Sequence, residues 1–80
     1  MQVRIKSGID SPVLRVSAGS NFAHEFRTSE APWDLGALAA EWAGPRGNDE
    51  EPEQYEARLG DHGRRLQAIL EGTGLFEISD

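Results

Sequence analysis

The apolar period of this chain changes near residue 30 and reverts only in its last few residues, and that change decides which folds are open to it. Up to residue 27, apolar side chains recur at every second position; beyond residue 32 they recur at every third or fourth. A chain of this kind reads as strands first and helices second. In QVRIK (2–6), Val3 and Ile5 share one face while Arg4 and Lys6 take the other. Gly8, Asp10, Ser11 and Pro12 make a turn cluster suited to a loose hairpin. PVLRVSA (12–18) resumes the alternation, with Leu14 and Val16 inward. Gly19, Ser20 and Asn21 supply the next turn, and FAHEFR (22–27) puts Phe22, His24 and Phe26 on one face. Three short antiparallel strands with one apolar face are predicted.

The helical part begins within SEAPWDLGALAAEW. Pro32 fits a first helical position, where its missing N–H costs nothing, and Asp34 favours a helix start. Leu35, Leu38, Ala39 and Trp42 form one stripe, and Gly44-Pro45 stop the helix. GPRGNDEEPE (44–53) is a polar, acidic, exposed loop. A second helix is predicted from about Pro52 to about Glu71, with Tyr55, Leu59, His62, Leu66, Ile69 and Leu70 along one side. Asp61 and Arg65 stand four apart and can pair on its exposed side. Gly72 is the expected C′ glycine, and LFEIS (75–79) returns to alternation as a last strand that buries Phe76 and Ile78.

The predicted fold class is therefore α+β, a single domain over 1–80: a small antiparallel sheet of three to four strands with two helices packed on one face. Eighty residues bury a modest core, worth roughly 4–12 kcal/mol in all. Two glycines inside the second helix, Gly60 and Gly63, cost it about 2 kcal/mol relative to alanines. Close approach of another backbone would offset that cost, and the small residues Gly36-Ala37 and Ala39-Ala40 of the first helix are placed to supply it. On this reading a methyl at Gly63 destabilises.

Chemistry is sparse. The absence of cysteine excludes disulfides, thiolate metal sites and a cysteine nucleophile, and a reducing compartment fits most simply. His24 lies between two phenylalanines and His62 on an apolar stripe, without a second histidine at metal-ligand spacing. Both read as half-buried hydrogen-bonding residues; no metal and no cofactor are expected. Gly72-Thr73-Gly74 follows a helix, so it is a cap and no phosphate cradle. No nucleophile elbow accompanies the serines, and an enzyme is not expected. No apolar run approaches the length of a membrane span, and MQVRIKSGID lacks a signal peptide's apolar centre. A soluble, cytoplasmic protein is predicted.

The formal charge of −6 is unevenly placed. Residues 1–31 carry four basic and three acidic side chains; residues 32–80 carry four and eleven. That acidic half argues against nucleic acid, whose affinity comes from neutralised phosphates, and leaves a protein partner open. Candidate protein-binding residues are Trp33, the acidic run Asp49, Glu50, Glu51 and Glu53, and the basic Arg58 and Arg65. The sequence does not set the oligomeric state.

Two segments, FRTSEAP (26–32) and LGDHGRRLQAIL (59–70), carry a resemblance. Following strands and flanking a helix, they resemble the strand-plus-helix region that precedes caspase-like CHAT protease domains, over about residues 2–78. The resemblance implies a non-catalytic flanking or companion module. The family's catalytic His and Cys belong to a domain that this chain lacks, so no catalytic residue carries over. The expected function is a non-enzymatic protein-interaction module, an accessory component of a bacterial conflict or signalling system. The alternative is a small acidic inhibitor, an immunity or antidefence protein, that binds a basic partner through loop 49–53 and the second helix.

Overall fold

β1 (Gln2–Ile5) is the strand around which the first sheet forms. In the computed structural model, which describes residues 1–19 and 22–80, β1 lies between two antiparallel neighbours. On one side is the C-terminal strand β5 (Phe76–Ser79), with Val3 opposite Ile78 and Ile5 opposite Phe76. On the other is the two-residue β4 (Trp33–Asp34), with Val3 opposite Trp33. The Lys6 N–H donates to the Leu75 carbonyl at 2.9 Å and the Leu35 N–H to that of Met1 at 3.0 Å, extending the pairing at both ends.

β2 (Val13–Ala18) and β3 (Phe22–Arg27) pair with each other, and with no other strand among the described residues, as a separate antiparallel hairpin. β1, β2, β3 and β5 are thus strands the alternation predicts and β4 is not, and together they form sheets of three and two instead of one sheet joining β1 to β2. The long turn at 6–12 releases β2 from β1, and the end of the chain takes the place beside β1 instead. Of the predicted turn between β2 and β3, Gly19 is in the left-handed region (φ 62°), and Ser20 and Asn21 lie outside the described residues.

A single 3-10 turn (Thr28–Glu30) follows β3, then a cis Ala31–Pro32 bond. Pro32 is therefore not the first residue of a helix. Helix α1 runs Leu35–Ala43, and Asp34 is its N-cap: its Oδ2 accepts from the Ala37 N–H at 2.9 Å. Trp33, expected just inside that helix, is extended on β4 because its backbone completes the sheet. Gly44 ends α1 with φ 79° and ψ 179°, a conformation that a side chain strains against.

Helix α2 runs Pro52–Thr73. Glu51 and Gln54 form a reciprocal capping box at its start, with Pro52 in the first position. It continues two residues past the predicted end. Gly72 is still helical, and Gly74 (φ 74°, ψ 5°) is the left-handed cap. The Thr73 hydroxyl donates to the Leu70 carbonyl at 2.7 Å and accepts from the Leu75 N–H at 3.1 Å, which carries the helix through to Thr73 and turns the chain into β5.

The core draws on every layer: Val3, Phe26, Leu66 and Leu70 are fully enclosed, with Val16, Phe22, Leu35, Leu38, Ala39 and Phe76 nearly so. The predicted stripe of α1 is the one buried, and Leu66 and Leu70 anchor that of α2. Gly63 faces Ala39 of α1 as expected, but the approach is not a close one. A Cβ at Gly63 would sit 4.0 Å from the Ala39 Cβ, an ordinary van der Waals distance, and one at Gly60 would meet only the flexible end of Arg64 at 3.5 Å. The two helices therefore do not require these glycines. The fold is α+β and elongated, 45 × 27 × 21 Å with a radius of gyration of 13.4 Å. A compact chain of this length has about 12 Å.

Candidate functional site

The hairpin is tied to the remaining structure by rings. Phe22, at the start of β3, meets Trp42 of α1 edge-on at 5.1 Å. Phe26, at its other end, meets Trp33 at 5.0 Å and Phe76 at 4.8 Å. Between these anchor points the first half of β3 and one turn of α1 border a groove of about 220 Å³, lined by Phe22, Ala23, His24, Leu38, Glu41 and Trp42. Leu38, Glu41 and Trp42 fall at i, i+3 and i+4, so one helical turn presents an apolar floor with a carboxylate at its border. Glu41 is exposed, with no ion pair or hydrogen bond among the described residues.

The hairpin register fixes which backbone groups face outward. The Thr28 N–H donates to the Pro12 carbonyl at 3.0 Å, and these positions continue the β2–β3 register. In an antiparallel pair the bonded positions alternate. The facing pairs Leu14/Phe26, Val16/His24 and Ala18/Phe22 thus exchange the bonds between the strands. Ala23 and Glu25 then direct their N–H and C=O groups, and Arg27 its N–H, away from β2 along the outer edge of β3, while the Arg27 carbonyl serves the 3-10 turn that follows. Among the described residues no other strand pairs with this edge. On the outer face Glu25 is held by Arg15 at 3.4 Å and Arg27 at 3.2 Å.

The residues predicted as protein-binding fall into three groups. Glu50 and Arg58 are occupied within the molecule. Arg58 donates to both carboxylate oxygens of Glu50, at 2.8 Å each, to the Pro45 carbonyl at 3.1 Å and to the Ala43 carbonyl, and its guanidinium lies 5.0 Å from the Tyr55 ring centre. With a further bond from the Gly47 N–H, this clamp holds the Glu50 carboxyl well down, at about 2. Glu51 is the N-cap of α2. Trp33 is half-buried against Phe26 and Phe76, and is no projecting anchor. Asp49 and Glu53 are exposed beside the clamp, and Arg65 is exposed in its predicted pair with Asp61 at 3.1 Å. The structure does not gather the seven residues into one surface.

Each histidine has its own aromatic partner. His24 meets Phe26 edge-on at 4.5 Å; His62 meets Trp42 at 4.7 Å, and its Nδ1–H donates to the Arg58 carbonyl at 2.9 Å. Among the described residues no three His, Asp or Glu side chains are grouped to hold a metal ion, and no helix is long and apolar enough to cross a membrane. The groove itself went unread in the sequence. Its one signal was Glu41 beside Trp42, a charge at the margin of an apolar stripe.

In comparisons with known proteins, no family model, no curated protein and no solved structure matches this chain.

Proposed function

We propose that this chain is a non-enzymatic protein-interaction module, an accessory component of a bacterial conflict or signalling system. The observation that carries the reading is the β2–β3 hairpin, which pairs with no other strand among the described residues and meets α1 and β4 through ring contacts. An open strand edge is costly to leave unpaired, since it invites pairing with other chains, and a use for it offsets that hazard. The resemblance of residues 26–32 and 59–70 to the segment preceding CHAT protease domains makes a CHAT-type effector the first partner to test. Purified chain mixed with such effectors should form a complex at micromolar concentrations in analytical ultracentrifugation. Independent sedimentation with every effector tried would contradict the assignment to that system.

A specific observation also favours the acidic-inhibitor reading. The Arg58 clamp orders loop 44–51, so Asp49 and Glu53 stand exposed on a fixed support beside the capped start of α2. A preorganised acidic surface loses little entropy on meeting a basic partner and steers its approach. That reading predicts an association rate that falls steeply with added salt and on neutralising Asp49 and Glu53. A salt-insensitive rate would contradict it.

A further inference from the structure

We propose that the free edge of β3 and the groove beside α1 together form a docking site for an extended segment of a partner protein, one bearing a basic side chain over Glu41. This rests on the interaction-module reading and names where and what the module binds.

Three features of the site select the occupant. The outward N–H and C=O groups of Ala23 and Glu25 and the outward N–H of Arg27 are spaced at every second residue, the pattern another β-strand satisfies in full. Ala23 also lines the groove, so the edge and the groove meet there. A strand laid along the edge would direct alternate side chains toward Leu38 and Trp42. Glu41, exposed and unpaired at the margin, supplies the charge that such a strand's basic residue would meet, and the net charge of −6 acts in the same sense.

A second copy of the chain fits poorly. Two β3 edges paired around a twofold axis in the register that uses all three outward positions would place Glu25 opposite Glu25, with Ala23 opposite Arg27. Two β2 edges would likewise place Arg15 opposite Arg15, since Val13, Arg15 and Ser17 are the outward positions there. Like charges directly opposite disfavour pairing, and a charge at the centre of an edge is a common guard against it. Each edge is thus guarded against a copy of itself in its fullest register, while a strand carrying a basic residue meets no such repulsion at Glu41.

The test is an amide-shift titration of the intact, isotope-labelled chain with an acetylated octapeptide of alternating valine and threonine carrying one central lysine. A glutamate counterpart and a form N-methylated at alternate amides serve as comparison arms. Shifts should centre on Ala23, Glu25 and Arg27 and on the 38–42 turn of α1. Glu41→Arg should weaken the lysine peptide about fivefold, the scale of one partly exposed ion pair, and favour the glutamate peptide instead. N-methylation, which removes the strand's bonding edge without altering the protein, should abolish the shifts. The proposal is overturned by equal binding of the N-methylated form, by no shift at millimolar peptide, or by the same shifts arising from self-association of the free chain. Shifts centred on 46–53 would overturn the groove while leaving the module reading standing. An effector that fails to bind while the peptide occupies the groove would instead remove only the assignment to that system.

Discussion

Arg58 joins four parts of the chain through one guanidinium: the last turn of α1, the loop after it, Glu50 and the Tyr55 ring. Its bond to the Ala43 carbonyl satisfies a group at the end of α1 that has no helical partner of its own. The pairing has a definite pH signature. The Glu50 carboxyl is held at about 2 against an ordinary 4.5, so the folded state binds fewer protons than the unfolded one between these values. Stability from this group is fully present above about 4.5 and is lost as pH falls toward 2. In urea melts, the stability difference between the natural chain and Glu50→Gln should therefore be constant above that window and shrink below it; a difference independent of pH would refute the clamp. At Gly63 the ordinary 4.0 Å spacing to the Ala39 Cβ reverses the expectation from sequence. Gly63→Ala should stabilise the fold by about 0.5–1 kcal/mol, read as a higher urea midpoint at unchanged slope. The sequence pointed to the small residues Gly36-Ala37 and Ala39-Ala40 of α1, and of these it is Ala39 that faces Gly63. The distance was not legible, because helix separation depends on every larger side chain at the crossing.

The elements follow local rules, and those rules were readable. Alternation placed β1, β2, β3 and β5 to within a residue or two, and the stripes placed α1 and α2. The exceptions lie where tertiary pairing competed with a local signal. Pro32-Trp33-Asp34 reads as a helix start, yet the backbone of Trp33 completes a sheet with Val3 and its ring meets Phe26 and Phe76. The helix then starts at the next capping residue, Asp34. Asp34→Ala should cost about 1 kcal/mol by chemical denaturation, whereas Asp34→Asn should cost much less, because it keeps the cap acceptor. Pairing between strands was less legible than the strands themselves. Alternation sets which face a residue takes but not which strand lies beside it, so β1 with β5 in place of β2 could not be read from periodicity. Of the site, the strand and the helix were legible separately; the groove arises from how they pack.

On the scale of the whole molecule, one buried cluster takes Leu66 and Leu70 from α2, Val3 and Phe76 from the three-stranded sheet, and Val16, Phe22 and Phe26 from the hairpin. Leu66→Ala, at a fully enclosed position, should cost about 2–5 kcal/mol, a large share of what a fold this size possesses. Equilibrium unfolding in urea measures it, and a loss below about 1 kcal/mol would mean that α2 is not buried as described. The hairpin, joined mainly through rings, should open locally before the whole fold does. Among the described residues β3 has an edge open to another strand, and amide hydrogen exchange on the isolated chain reads it residue by residue. Exchange should alternate along β3, with Ala23, Glu25 and Arg27 faster than His24 and Phe26 by roughly an order of magnitude. Uniform protection from 22 to 27 would contradict the claim, because it would mean that the edge is already paired.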